Sequence, residues 1–307
     1  MFKMQLNNVY AIDSMMFGYR HYASCYLIKG KELAMVDTGM PERLDDVLAG
    51  IKANGFRVED ITRIFVTHCE HPDHSGNVAS ILELAPNAKA YCNPIGEKNL
   101  LDPGIQHRER MKTLPPEMWQ RFVLPKPTPK EKIVLLKDGD TFDLGDDVKL
   151  RIKIIDFHQP SGLVVYDLKN NGLFCNDLTG NYFADCGYHI VLHPPDSQFF
   201  VEYEYIKELL KNPPAHLYLG HFGIIEDAPT YLKETFDHET WMIEECAKAV
   251  KSGHPEKVME IIRDKNLESA KNLLKRGDQK LYDYCTKEHI PPQAQTFADL
   301  FLSKYGN

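Results

Sequence analysis

A dense polar cluster directly after an apolar run constrains this chain more than any other feature. Residues 62–66 (TRIFV) are typical of a buried β-strand, and Thr-His-Cys-Glu-His-Pro-Asp-His-Ser-Gly follows at once. Histidines crowded among carboxylates beside a buried strand repel one another when protonated, and burying them costs desolvation energy. A bound cation compensates both costs. The cluster therefore predicts a metal site at the carboxyl end of a strand.

The pattern around the cluster predicts an α/β fold. Strand-like runs occur at 8–12, 23–28, 32–37, 62–66 and 88–92, and helical periodicity occurs at 43–54 and 76–85. From residue 133 onward, four more strand-like runs are separated by turn sequences, which predicts a second and mostly antiparallel sheet. A helix at 199–211 and a strand at 216–219 are expected to complete it.

Two segments depart from this alternation. Residues 93–132 are irregular and carry three prolines among charges in LPKPTPKEK, so they are predicted to form an insertion or lid. After residue 227 the pattern is helical, at 228–251, 255–264, 267–286 and 292–303. The predicted organisation is therefore a domain at 1–226 and a helical C-terminal extension at 227–307.

Composition excludes several classes of function. The 36 basic and 44 acidic residues give a net charge of −8, which disfavours nucleic-acid binding. No run approaches the roughly 18 apolar residues of a membrane span, and the N-terminus lacks the apolar stretch of a signal peptide. The seven cysteines show no CxxC spacing and are expected to be reduced. We expect a cytoplasmic protein that binds neither nucleic acid nor membrane.

Three further residues complete a possible metal site. His158, Asp177 and His221 each stand in a turn directly after a strand-like run. Taken singly, each has an ordinary explanation as a loop residue, but their recurrence at one kind of position is harder to dismiss. Nitrogen and carboxylate donors suit zinc, iron or manganese, and the sequence leaves the choice open.

These motifs together resemble the metallo-β-lactamase superfamily. The resemblance covers roughly residues 8–225 and is carried by VDTG at 36–39, TH…HPDHSGN at 67–77, FHQPSG at 157–162, LFCNDLTG at 173–180 and YLGHFG at 218–223. It implies an αββα sandwich with two divalent metal ions, zinc or iron. The helical tail gives the chain a layout similar to glyoxalase-II-like thioesterases and to quinolone-response proteins.

Carried over by position, the resemblance implies a full ligand set. His68, His71 and His158 would hold one metal ion, and Asp73, His74 and His221 would hold the other. Asp177 would bridge both ions and would share with Asp73 the catalytic handling of protons. Asp37, in the VDTG turn, would steady the loop from behind.

One departure from the family pattern leaves an alternative open. The family has a single residue between the first two histidines, whereas Cys69 and Glu70 both separate His68 from His71. A one-residue bulge at the strand end would keep both histidines as ligands. The other count makes Glu70 the ligand instead of His71, as in flavodiiron proteins, which HCEHPDHSGN and the Asn176–Asp177 pair also resemble.

Three functions are compatible with this pattern. The first is a dinuclear metal-dependent hydrolase that attacks an ester, thioester or lactone with a metal-bound hydroxide. The second is a flavin-free diiron protein, related to flavodiiron proteins, that binds or reduces oxygen. The third is a metal-containing regulatory module without catalysis. A small-molecule substrate is the expected partner, and the amphipathic tail is compatible with a homodimer.

The residues that contact a substrate are not determined by the sequence. Several polar and aromatic residues fall in the insertion and in the loops after the second sheet: His107, Arg108, Arg110, Trp119, Tyr182, His189 and His193. Each is more often an ordinary surface or packing residue. The sequence offers them as hypotheses only.

Overall fold

Two facing β-sheets covered by helices form the centre of the molecule. The structure is a computed structural model that describes residues 4–106, 108, 123–183, 185–190 and 197–306. One cluster of apolar side chains fills the space between the sheets, and two further clusters join each sheet to the helices outside it. The αββα sandwich predicted from the sequence is therefore confirmed.

The first sheet contains seven strands whose spatial order follows the chain. They are β1 (Gln5–Leu6), β2 (Val9–Asp13), β3 (Ser24–Lys29), β4 (Leu33–Val36), β5 (Ile61–Phe65), β6 (Lys89–Cys92) and β7 (Ile133–Leu135). Strands β1 to β4 pair antiparallel, and β4 to β7 pair parallel. The parallel half places the carboxyl ends of β4 and β5 side by side.

The second sheet contains six strands, and a separate hairpin stands beside it. The strands from β8 onward are β8 (Thr141–Gly145), β9 (Val148–Ile154), β10 (Leu163–Asp167), β11 (Gly172–Phe174), β12 (Asn181–Phe183), β13 (Tyr188–Ile190), β14 (His216–Tyr218) and β15 (Ile224–Ile225). The sheet order is β15-β14-β11-β10-β9-β8, while β12 pairs only with β13. Every pairing in it is antiparallel except β11 with β14.

The alternation of apolar and polar residues along β9 determines which face of this strand packs between the sheets. Val148, Leu150 and Ile152 are buried between the sheets, whereas Lys149 and Arg151 are exposed. Successive side chains of a strand point to opposite faces, so this apolar–polar alternation allows only one face to join the core. The buried face of β9 meets Phe65 and Phe174 in the central cluster.

Nine α-helices complete the described part of the chain. They are α1 (Leu44–Ala53), α2 (Pro72–Ser75), α3 (Val78–Leu84), α4 (Glu97–Leu101), α5 (Phe199–Leu209), α6 (Ala228–Lys251), α7 (Val258–Ala270), α8 (Gln279–Tyr284) and α9 (Ile290–Tyr305). Helices α1 and α3 pack against the first sheet, and α5 and α6 pack against the second. Short 3₁₀ turns lie between several of them.

The C-terminal extension differs in detail from the sequence prediction. Helix α7 runs through the break expected near residue 265, and the single helix expected at 267–286 is divided. A 3₁₀ segment, Lys271–Arg276, ends at Gly277, whose φ of +74° lies in the left-handed region that terminates helices. The amphipathic spacing of apolar residues continues on both sides of Gly277, so the sequence pattern did not reveal this break.

The loop expected around His189 is instead the β12–β13 hairpin. In the insertion 93–132, the described part includes α4, whose Leu100 is buried against the first sheet. All seven cysteines are free. None of the described helices is both long and apolar enough to cross a bilayer.

Candidate metal centre

Four loops meet at one edge of the sandwich and bring the predicted ligands together. The loop after β5 carries the residues from His68 to His74, and the loops after β9, β11 and β14 carry His158, Asp177 and His221. Two groups of donors result, each with its donor atoms within 4.8 Å of one another: His68, His71, His158 and Asp177 in the first, and Asp73, His74 and His221 in the second.

The first group surrounds one oxygen of Asp177. Oδ2 of Asp177 lies 2.9 Å from Nε2 of His158 and 3.9 Å from Nε2 of His68. Nδ1 of His71 lies 3.4 Å from Nε2 of His158. Three nitrogen donors and one carboxylate oxygen therefore face a common point.

The second group surrounds the other oxygen of the same carboxylate. Oδ1 of Asp177 lies 3.3 Å from Nε2 of His74 and 3.4 Å from Nε2 of His221. Oδ2 of Asp73 lies 3.5 Å from Nε2 of His74 and 4.0 Å from Nε2 of His221. Asp177 thus stands between the two groups and presents one oxygen to each.

Hydrogen bonds at Nδ1 orient three of the imidazoles. Nδ1 of His68 lies 2.9 Å from the Asn176 side-chain oxygen, and Nδ1 of His74 lies 2.8 Å from Oδ2 of Asp37. Nδ1 of His221 donates to the carbonyl of Tyr22 at 3.1 Å. An oxygen acceptor keeps the proton on Nδ1, so the lone pair of each Nε2 points into the cluster, as in metal-binding histidines.

The donor atoms fit a pair of cations. Nε2 of His68, Nε2 of His74 and Oδ1 of Asp177 are buried and have no hydrogen-bond partner among the described residues. A buried polar atom without a partner costs roughly 1–3 kcal/mol. Metal coordination removes that cost, and nitrogen with carboxylate oxygen is a donor set that zinc and iron both accept.

Local backbone geometry explains why these loops take this shape. Asp37 and Asn176 both have positive φ, +57° and +55°, a region that Asp and Asn tolerate better than most residues. Asp37 uses it to accept hydrogen bonds from the amide and hydroxyl of Thr67, at 2.8 and 2.7 Å. Pro72 at the start of α2 places Asp73 in the first turn of that helix, where a carboxylate is favoured.

The protonation of the cluster follows from its charges. Burial lowers the pKa of His74, but the carboxylates of Asp177, Asp37 and Asp73 together raise it well above its ordinary value. Burial, with the neighbouring His74, lowers the pKa of His68 well below its ordinary value. Burial alone would raise the pKa of Asp177, yet His74, His158 and His221 hold it well below its usual range. Without a cation, the three carboxylates thus favour a second proton on His74, at Nε2. A bound cation would replace that proton and leave the Nδ1 proton, which is donated to Asp37, in place.

His71 belongs to the first donor group, whereas Glu70 belongs to neither group. The Glu70 carboxylate accepts a hydrogen bond from the Ser161 hydroxyl, and further ones from the amides of Cys69 and Ser161, at 3.1 and 3.3 Å. The extra residue of this loop lies beyond Phe65, where β5 ends. A register irregularity in the pairing of β4 with β5 lies at the other end of the strand, between the pairs Leu33–Ile61 and Ala34–Arg63. The roles of His71 and Glu70 at a metal remain predictions.

The proposed substrate-contacting residues are placed only in part. Arg108 is exposed and pairs with the exposed Asp102 at 2.9 Å. Tyr182 stacks between Tyr231 and His189, with ring centroids 4.4 and 4.6 Å away, and its hydroxyl donates to Glu234. His107, Arg110, Trp119 and His193 lie outside the described residues.

Sequence reasoning missed several supports of the site. Ser161 lies within the FHQPSG motif, but that motif does not reveal its hydrogen bond with Glu70. Tyr22, whose carbonyl orients His221, lies in none of the motifs. His289, in the C-terminal extension, hydrogen-bonds with Tyr22 and was equally unexpected. Each acts through a backbone group or through a contact across more than 90 residues, which no local motif encodes.

Comparison with known proteins agrees with this architecture. The family model of the metallo-beta-lactamase superfamily matches residues 18–221, which is most of the chain and includes every donor named above. The chain belongs to this superfamily.

Curated proteins similar to this chain include flavoproteins. A putative diflavin flavoprotein from Nostoc is 29% identical over 217 residues, which is 69% of this chain and 32% of that protein. A flavo-diiron protein from Clostridium acetobutylicum is 28% identical over 163 residues, which is 53% of this chain and 35% of that protein. The chain thus spans about a third of the length of these relatives.

A solved structure matches almost the whole chain. A metallo-beta-lactamase family protein from Thermus thermophilus superposes with a TM-score of 0.67 over 98% of this chain and 95% of its own, at 18% identity. At this identity the likeness concerns the fold. It extends over the C-terminal helices as well as the sandwich.

Proposed function

We propose that this chain holds a diiron centre that binds and reduces dioxygen. The observation that carries the proposal is the buried cluster of five imidazoles and two carboxylates, in which Asp177 faces both donor groups. Support comes from the curated relatives, one of which is named a flavo-diiron protein. Iron accepts this mixture of nitrogen and oxygen donors.

The depth of the site favours a very small substrate. His68, His74, His158 and Asp177 are each at most 2% exposed. Donors this deeply buried favour a diatomic molecule over an ester or thioester, which needs an open cleft for its two substituents. Burial also keeps bulk water from the reduced centre.

The chain's own residues would hold and orient the centre. Asp177 would supply one oxygen to each ion, while hydrogen bonds to Asp37, Asn176 and the Tyr22 carbonyl would keep the imidazole lone pairs directed inward. Bound iron would supply the redox chemistry. Complete reduction of dioxygen to water also consumes electrons and protons from outside, so the proposal includes a separate electron-donor protein as partner.

A hydrolase is the second candidate, and one observation favours it. His71 is one of the four residues of the first donor group, which gives that group three nitrogens, a set well suited to zinc. Bound zinc would lower the pKa of water toward about 7 and so supply a nucleophile. Asp73, next to both His74 and His221, would take up the proton. The substrate would be an ester, thioester or lactone.

One set of experiments separates the candidates. Protein purified without oxygen and loaded with Fe²⁺ is mixed with dioxygen and a chemical reductant, and oxygen uptake and the visible spectrum are followed. Zinc-loaded protein is tested with a panel of thioesters and lactones. Asp177→Asn removes the bridging charge, and Asp45→Asn, at an exposed position of α1, is the matched control.

The outcomes are distinct. Iron-dependent oxygen uptake that is lost in Asp177→Asn and kept in Asp45→Asn supports the diiron proposal. Hydrolysis by the zinc form, with no oxygen uptake by the iron form, overturns it in favour of the hydrolase. If two metal ions bind and neither reaction occurs, both catalytic proposals fail and a regulatory role for the metal-bound fold is favoured.

A further inference from the structure

A π-helical turn brings a histidine of the C-terminal extension to the metal site. Residues Cys285–His289 form this turn between α8 and α9. Such turns are rare and often occur at functional sites. At its end, Nδ1 of His289 lies 3.2 Å from the hydroxyl of Tyr22, a residue 267 positions earlier in the chain.

The hydrogen bonds of the Tyr22 hydroxyl have a definite direction. Among the described residues, Nδ2 of Asn181 lies 3.3 Å from this oxygen, and an amide nitrogen can only donate. The single proton of the phenol is then available to Nδ1 of His289. Burial, followed by the nearby His221, lowers the pKa of His289 to about 3, so the ring is neutral and can accept.

Tyr22 connects this hydrogen bond to a metal donor. Its carbonyl oxygen accepts the Nδ1 proton of His221 at 3.1 Å, and its ring packs on the His221 ring with centroids 5.7 Å apart. Tyr22 is only 1% exposed, so its side chain is surrounded by other residues. A displacement of its side chain would be transmitted to the carbonyl that orients His221.

The extension is firmly packed at this point. His289 stacks on Tyr284, with centroids 5.7 Å apart and planes 22° from parallel, and Tyr284 packs in turn against Tyr19. Cys285 lies 3.2 Å from the Tyr188 hydroxyl and is fully buried. The π turn therefore presents His289 from a rigid support.

We propose that His289 is a positioning residue for the metal ion held by Asp73, His74 and His221. It fixes the Tyr22 side chain, and Tyr22 fixes His221, so the C-terminal extension contributes to the affinity of the second ion. The first ion, held by His68, His71 and His158, does not depend on this contact. The inference rests on the metal-binding part of the proposed function and not on the reaction.

Metal titration of three variants tests the proposal. His289→Leu removes the acceptor, His289→Asn keeps a polar group near the position of Nδ1, and His254→Leu is the control, an exposed histidine of the same extension that pairs with Glu256. Zn²⁺ and Co²⁺ binding are measured by calorimetry, and the visible spectrum of the Co²⁺ form is recorded. The unfolding temperature of each metal-free variant shows whether it folds.

We expect His289→Leu to weaken binding of the second ion roughly tenfold, which is typical for loss of a hydrogen-bond partner of a metal-binding histidine. Binding of the first ion should be unchanged. His289→Asn should restore most of the loss, and His254→Leu should match the parent. Tyr22→Phe should give a similar loss, and the double variant Tyr22→Phe/His289→Leu should lose little more than either single variant, because both act through one hydrogen bond.

Two results would overturn the proposal. The first is unchanged binding of both ions by a folded His289→Leu. The second is an equal loss at both ions in His289→Leu and His289→Asn alike, which would indicate a general packing role. Neither measurement uses oxygen uptake or hydrolysis, so failure of the proposed reaction leaves this test intact.

Discussion

Glu202 and Glu239 contact each other between helices α5 and α6, and both are completely buried. None of the four carboxyl oxygens has a hydrogen-bond partner elsewhere among the described residues. Burial and the contact with Glu239 raise the pKa of Glu202 well above its usual range, and burial does the same for Glu239. At least one proton is therefore retained by this pair in the folded protein.

The pair makes folding stability depend on pH. A carboxyl whose pKa is raised by folding favours the folded state fully below its ordinary value of 4.5 and loses that contribution as the pH rises through the folded pKa. We expect Glu239→Gln to be near neutral at pH 4.5 and to raise the free energy of unfolding by about 1–3 kcal/mol at pH 8. Urea unfolding of both proteins at the two pH values measures this. A difference that does not change with pH would contradict it.

The choice between His71 and Glu70 is open to a direct comparison. We expect His71→Ala to lower the metal content below two per chain, because it removes a nitrogen from the first donor group. Glu70→Gln should keep two metal ions and instead lower the free energy of unfolding by about 1–3 kcal/mol, since it weakens the contacts with Ser161 and Cys69. Elemental analysis and thermal unfolding give the two readouts. The reverse pattern would make Glu70 the ligand.

A substitution of Asn176 should affect the binding of the first ion alone. Its side-chain oxygen orients His68, and its φ of +55° suits glycine as well as asparagine. We therefore expect Asn176→Gly to preserve the backbone and to weaken the first metal-binding event about tenfold or more. Calorimetric titration separates the two events. A loss confined to the second event would contradict the assignment of His68 to the first group.

Gly220 is predicted to be irreplaceable because of its position beside the bridging carboxylate. A Cβ built on this residue lies 2.8 Å from Oδ1 of Asp177 and 2.8 Å from the carbonyl oxygen of Asn176. Gly220→Ala should therefore displace Asp177 and weaken the binding of both ions together. Metal content and the Co²⁺ spectrum provide the measurement, with circular dichroism to show that the sheets persist. Normal binding of two ions by Gly220→Ala would show that the loop adjusts.

The sequence predicts an element of this fold well where the pattern of apolar and polar residues has a single physical explanation. Alternation along β9 and the run before His68 are enough to assign strands to a buried layer, and the family motifs bring in the order of the two sheets. The hairpin around His189 was not predicted, because its three-residue strands are too short to show a period. Gly277 divides a helix whose apolar spacing continues on both sides of it.

The candidate site is predictable from sequence for its donors and for few of the groups that orient them. His68, His158, Asp177 and His221 each follow a strand and can be found from that pattern. The VDTG motif indicates Asp37, which orients His74. The carbonyl of Tyr22 could not be found in this way, because every residue has a carbonyl. The direction of the Glu70 side chain depends on Ser161, 91 residues away, and no spacing rule contains that contact.

The two sheets contribute unequally to each donor group, and this has a mechanical consequence. Asp73 and His74 follow a strand of the first sheet, whereas Asp177 and His221 follow strands of the second. Each ion would thus connect one sheet of the sandwich to the other. A small displacement of one sheet relative to the other would weaken the binding of both ions at once. Loss of metal is therefore expected to report a misalignment of the sheets before any strand unfolds.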